Sequence, residues 1–163
     1  MAAFKNEPEE WQRLDWIILQ NGWVSLYHRP EFLLIDISWF RKERYRVVEL
    51  NCADWSDEKT LLADLKFKFR LQDECSDSLD NLKEGLKEIS IVGAGLVVVL
   101  HHLDKVENHL AQALLSILSE SSRFQMLLGD RMITLAQVDD ENTNYDPIGS
   151  MAVGWNPHEW VKS

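Results

Sequence analysis

Leu96-Val97-Val98-Val99-Leu100 is the most strand-like run in the chain. Five apolar residues follow one another without alternation. A strand with one wet face alternates apolar and polar side chains, so an unbroken apolar run predicts a strand covered on both faces. Gly93 and Gly95 mark a turn just before it. Downstream, Asp104-Lys105-Val106-Glu107 has capping-box spacing, and the helix that follows carries Leu110, Ala113, Leu114, Ile117 and Leu118. Gly129 ends that region, and Met132 to Val138 reads as another strand. Upstream, Tyr45 to Leu50 reads as a strand with β-branched residues at its centre. Ser56 or Asp54 can cap the next helix, which places Leu61, Leu62, Leu65 and Phe69 on one face. Leu71 to Asp77 is polar, and Ser78 then caps a short helix with Leu79, Leu82, Leu86 and Ile89 on its apolar side. Strands separated by helices pair in parallel through right-handed crossovers. The expected class is α/β, with about three parallel strands packed with helices and additions at both ends.

The ends are read separately. Asn6 can cap a first helix that has Pro8 and three acids in its first turn, with Trp11, Leu14, Ile17 and Ile18 following at helical spacing up to Gly22. Trp23 to His28 predicts an extra strand or hairpin. Phe32 to Arg44 fits a helix or a strand. Asp139 to Ser163 reads as an acidic loop and a tail. The ends hold six tryptophans (11, 16, 23, 39, 155 and 160), whose size predicts that most pack onto the core or each other.

The chain has 163 residues, 45% hydrophobic, including 7 Trp, 6 Phe and 3 Tyr. That predicts one globular domain over 1–163 and argues against disorder. The longest apolar stretch is too short to cross a bilayer, and the first residues lack an apolar signal core. With only Cys52 and Cys75 no disulfide framework is available, so the expectation is a soluble cytoplasmic protein without membrane contact. The net charge is −10. Residues 71–163 carry 15 acids against 6 bases, whereas residues 1–70 are nearly balanced. Such a surface repels nucleic acid and attracts a basic partner, though solubility alone also accounts for it.

Enzyme signatures are absent. No phosphate loop, dinucleotide fingerprint or GxSxG elbow occurs, and Gly93 and Gly95 precede a strand where a phosphate loop would follow one. His101 and His102 fall at the carboxyl end of a strand, the favoured ligand edge of an α/β sheet. Adjacent strand residues point to opposite faces, so the pair reads as surface or capping histidines and not as a metal site. Cys75 lacks any thiol-enzyme signature. The expectation is no enzyme, cofactor or metal.

One segment carries the functional reading: Leu71-Gln-Asp-Glu-Cys-Ser-Asp-Ser-Leu-Asp-Asn-Leu-Lys-Glu-Gly-Leu86. Within and just beyond it, Asp77, Asp80, Glu84 and Glu88 follow at spacings of three, four and four, which puts their carboxylates on one helical stripe. A solvated helix face has the same look. The segment resembles the central stretch of the barstar family, intracellular inhibitors of barnase-type ribonucleases, in which an acidic aromatic loop leads into Asn-Leu-Asp-Ala-Leu-Trp-Asp-Cys-Leu. The matching residues are Ser78-Leu79-Asp80-Asn81-Leu82-Lys83-Glu84-Gly85-Leu86. The flanking strands and helices also match in order, so the resemblance covers a core of about 44–138 between extensions 1–43 and 139–163.

The resemblance implies a rigid acidic plug whose carboxylates stand in for RNA phosphates in a basic nuclease cleft. Asp80 and Glu84 would be its helix carboxylates, with Asp73, Glu74 and Asp77 in the adjoining loop and Lys83 between them on the helix. The partner implied is a basic ribonuclease or nuclease-type toxin. The departures are specific. The family's aromatic pair falls on Glu74 and Cys75, its glycine on Ser76, its Trp on Lys83, and a further family acid near Gln112. The alternative is a structural or regulatory interaction module that kept the fold without nuclease binding. A third is an enzyme using the His101/His102 edge. The sequence leaves the oligomeric state open.

Overall fold

A computed structural model describes residues 7–160. The helices are α1 (Pro8–Trp11), α2 (Leu14–Gln20), α3 (Pro30–Lys42), α4 (Glu58–Phe69), α5 (Leu79–Lys87) and α6 (Asn108–Leu127). The strands are β1 (Val24–Tyr27), β2 (Tyr45–Asn51), β3 (Gly95–His101), β4 (Met132–Gln137) and β5 (Gly154–Trp155). They form one sheet in the order β2-β3-β4-β1-β5, and every pairing is parallel. The three strands expected between Tyr45 and Val138 are all present in that arrangement. The extra strand expected from Trp23 to His28 is β1, and β5, which the sequence did not suggest, adds a fifth strand from the C-terminal segment.

β3 shows why its sequence lacks alternation. Val97 and Val99 face one layer, with Ile18 and Leu19 of α2 and Leu33, Ile37 and Phe40 of α3. Leu96, Val98 and Leu100 face the other, with Leu61 and Leu65 of α4, Leu82 and Leu86 of α5, and Leu114 and Leu118 of α6. All five residues of the run Leu96–Leu100 are at most 2% exposed. The result is a three-layer sandwich whose two cores are separated by the sheet.

β1 lies between β4 and β5, with Val24 opposite Thr134 and Ser25 opposite Gly154. Its polar residues are satisfied from the C-terminal segment. The buried Asn156 amide donates to Ser25 Oγ (3.3 Å), Tyr27 Oη (3.0 Å) and Asp36 (3.1 Å), and the Tyr27 hydroxyl also donates to Asp36. Burial pushes the Asp36 carboxyl above the usual carboxylate range. Trp160 and Trp11 stay well exposed, whereas Trp16, Trp23, Trp39 and Trp155 are half-buried.

Several local readings need correction. The first helix is two helices, because Arg13 is extended (φ −69°, ψ 139°) and directs its guanidinium onto buried Asp15. The Asn6 cap lies outside the described residues. The stretch read as helix or strand is helical from Pro30 to Lys42, and Arg44 turns left-handed (φ 69°) into β2. The α4 cap is neither Ser56 nor Asp54. Asp57 accepts from Thr60 N–H, and the Thr60 hydroxyl accepts from Asp57 N–H. Asp104 does not cap α6; Glu107 does, accepting from His109 and Leu110 N–H. Asp104 instead accepts from Asp139 and Asp140 N–H at 3.0 Å and pins the loop after β4. No helix among the described residues is long and apolar enough to cross a membrane.

Candidate functional site

The loop and helix at 71–88 form one unit. α4 ends at Phe69, and Arg70 takes the left-handed conformation (φ 55°), which turns the chain back. Asp73–Ser76 then makes a single 3₁₀ turn, with Cys75 N–H donating to Gln72 O at 3.0 Å. Ser78 caps α5 by accepting from Asn81 N–H at 3.1 Å. The Asn81 side chain reaches back and donates to Glu74 O at 3.0 Å, tying the turn to the helix. Leu82 and Leu86 are fully buried against the core and hold α5 in place.

Cys75, a position the resemblance gives to an aromatic, points inward and is 6% exposed. It sits against Gly85, so closely that a Cβ there would overlap Cys75 Sγ. Burial pushes the Cys75 thiol up, away from the thiolate that a nucleophile needs. Mid-helix Gly→Ala ordinarily stabilises, by about 1 kcal/mol. Here Gly85→Ala is expected to destabilise, because the clash forces Cys75 and its turn outward, and overpacking costs about 1–3 kcal/mol. Urea denaturation of Gly85→Ala and of Gly85→Ala with Cys75→Gly checks this. The second variant should recover most of the loss, and an unshifted or higher midpoint in Gly85→Ala alone would show that the turn yields freely.

Asp73, Glu74, Asp77, Asp80, Glu84 and Glu88 are exposed. Asp77, Asp80, Glu84 and Glu88 share one side, roughly opposite Leu82 and Leu86. Some charges are already matched. Asp73 pairs with Lys66 at 2.6 Å, and that hydrogen bond holds its carboxyl below the usual range. Glu84 meets Lys87 at 3.5 Å. Lys83 turns away from the stripe and pairs with Glu120 of α6 at 2.7 Å, which raises its ammonium further. Among the described residues, Glu74, Asp77 and Asp80 make no ion pair. Gln112 lies apart, exchanging hydrogen bonds with the backbone of Asp146 at 2.9 and 3.0 Å. Fixed, unpaired carboxylates accept charge-assisted hydrogen bonds from arginine and lysine.

Asn81, Gly85, Lys66 and Glu120 had no motif of their own. Asn81 had one sequence signal: it stands three residues after the Ser78 cap.

At the carboxyl edge of the sheet, His101 pairs with Glu49 at 2.9 Å, and this hydrogen bond holds the Glu49 carboxyl low. His102 is left-handed (φ 58°) and pairs with Asp139 at 2.9 Å. Burial works against the Asp139 charge, but hydrogen bonds from Gln137 and His102 outweigh it and lower its pKa. Among the described residues no three His, Cys, Asp or Glu side chains gather to hold a metal ion. The crevice at the ends of β1 and β4, where open α/β sheets take ligands, is filled by the chain itself. Glu159 accepts from His28 N–H at 2.9 Å and Arg29 N–H at 2.8 Å, and its side chain is 6% exposed.

Two solved structures share this fold. A chain of Pyrobaculum aerophilum Cdc6p aligns with TM-score 0.57 at 14% identity, over 96% of this chain and 47% of the other. A chain from Drosophila ORC bound to AT-rich DNA and Cdc6 aligns with TM-score 0.50 at 23% identity, over 78% and 44%. The chain thus spans less than half the length of either, and at these identities the likeness is one of fold alone. No curated protein matches the chain. The sequence model "Barstar (barnase inhibitor)" matches residues 45–139, which takes in β2 to β4, α4 to α6 and the whole acidic unit. The chain belongs to the barstar family.

Proposed function

We propose that this protein is a non-catalytic inhibitor or immunity protein that plugs the active site of a basic ribonuclease or nuclease-type toxin with the 73–84 loop and helix. One observation carries the reading: Glu74, Asp77 and Asp80 are exposed, without ion pairs, and fixed in space by the Cys75–Gly85 contact and the Asn81 tether. A cleft lined with arginine and lysine gains most from carboxylates that need no reordering on binding. The unit needs no cofactor. A structural or regulatory interaction module is the second reading, favoured by the pairing of Asp73 with Lys66 and of Lys83 with Glu120, and by the missing aromatic anchors.

The test is titration of the purified protein against a panel of basic microbial ribonucleases, with cleavage of a fluorogenic RNA as the readout. Stoichiometric inhibition of one of them is expected, and inhibition of none favours the second reading. Asp80→Ala with Glu84→Ala should unfold at the urea midpoint of the parent, since both groups face solvent. It should associate with the inhibited enzyme about tenfold more slowly at low salt, because exposed charges steer encounter. Unchanged association rates at low salt would remove these two carboxylates from the contact surface.

A further inference from the structure

We propose that the free edge of β2 is a second docking site, taking an extended acidic peptide segment of a protein partner as an added strand. β2 is one of the two edge strands, and in a chain of net charge −10 its surroundings are basic. Arg46 of β2 and Arg70 line one groove with Gln72 and Ser90, and the same two arginines line the next with Lys68 and Phe67. Arg44, Arg46, Lys68 and Arg70 make no ion pair among the described residues, unlike Lys66 beside them. Phe67 is 78% exposed in their midst. Arg46 shares a face of β2 with Val48 and Leu50, which pack against the α4 and α5 layer, so it points toward the Arg70 side of the sheet.

The edge itself selects the occupant. β2 is seven residues long, and among the described residues its backbone bonds in the sheet only to β3. The outward N–H and C=O groups match a peptide main chain, which adds to an exposed edge by strand augmentation. Carboxylates at alternate positions of the added strand would then reach Arg46, Arg70 and Lys68, and an apolar neighbour would cover Phe67. A nucleic acid offers no main-chain partners for this edge. Cys75 and Gly85, on the inner side of the 73–84 unit, also line the first groove, whereas Asp77, Asp80 and Glu84 do not.

The probe is a fluorescein-labelled nonapeptide of alternating Glu and Val, with a nine-nucleotide oligouridylate as comparison, both titrated against the full chain by anisotropy. The peptide should bind, and its affinity should fall as salt rises. Amide resonances of residues 45–51 should shift on binding. Arg46→Glu with Arg70→Glu should weaken peptide binding at least tenfold, and Phe67→Ala, which removes only an exposed ring, should weaken it several-fold. Asp80→Ala with Glu84→Ala should not weaken it, which separates this surface from the proposed inhibitory one. The proposal is overturned by no peptide binding at millimolar concentration, by tighter binding of the oligonucleotide, by equal affinity in the arginine variant, or by amide shifts confined to other strands.

Discussion

Asp15→Ala is expected to be among the most destabilising single substitutions in this protein, costing about 3–5 kcal/mol, the range for breaking a buried charge pair from one side. Asp15 is fully buried at the start of α2. Its carboxylate accepts from Arg13 Nε and Nη2 (both 3.1 Å), Tyr45 Oη (2.6 Å), Arg131 Nη1 (3.1 Å) and Trp16 N–H (2.9 Å). The cluster joins α2, β2 and the residue before β4, so it ties α2 to the edge and the centre of the sheet. Alanine would take the Asp15 carboxylate away from the Arg131 guanidinium, only 10% exposed, and from the Tyr45 hydroxyl that donates to it. A stability of about 5–15 kcal/mol is ordinary for a domain, so this is a large fraction of the total. Urea denaturation followed by tryptophan fluorescence checks it. Asp15→Asn separates charge from shape: it keeps one acceptor and should lose less. A loss below about 1 kcal/mol for alanine would mean that water and the neighbouring groups replace the carboxylate.

The second large effect concerns barnase itself. On the proposed function, this chain should inhibit barnase weakly or not at all. The family's loop aromatics and helix tryptophan correspond here to Glu74, Cys75 and Lys83. A lost interface anchor typically costs about 2 kcal/mol or more, so losing several together costs orders of magnitude in affinity. The structure sharpens the reason at two of the three positions. Cys75 is turned into the Gly85 contact and offers the partner nothing. Lys83 is drawn to Glu120, so it adds neither an anchor nor a charge pointing along the acidic stripe. The remaining acids, Asp77 and Asp80 with Glu84, give a salt-sensitive encounter without packed anchors. Titration against barnase at physiological salt, with RNA cleavage as readout, decides it. Stoichiometric inhibition at nanomolar concentration would show that the carboxylates suffice without aromatic anchors.

The sequence alone determined the central layers of this protein. The unbroken apolar run 96–100, the strand at 45–50 and the helical spacing of Leu61, Leu65 and Phe69 lead to a parallel sheet covered on both faces, because burial on two sides removes the polar half of a strand's pattern. The acidic unit was legible for a related reason: Ser78 caps the helix, Leu82 and Leu86 seat it, and helical periodicity puts Asp80 and Glu84 on the other side. Tertiary structure decided what depends on partners distant in sequence. Trp23 to His28 could be read as a strand, but not as one between β4 and β5, because its place is set by residues more than a hundred positions away, through the Asn156 amide and the Glu159 carboxylate. The cap of α6 moved from Asp104 to Glu107 because Asp104 is drawn to the loop after β4. Which acids of the stripe are free was decided in the same way. Lys66 and Glu120 carry ordinary surface charges in the sequence, and only folding brings them to Asp73 and Lys83, whereas the Glu84–Lys87 pair is local to one helix. Local periodicity fixes which face of an element is polar, whereas the pairing of charges on that face depends on which elements the fold makes neighbours.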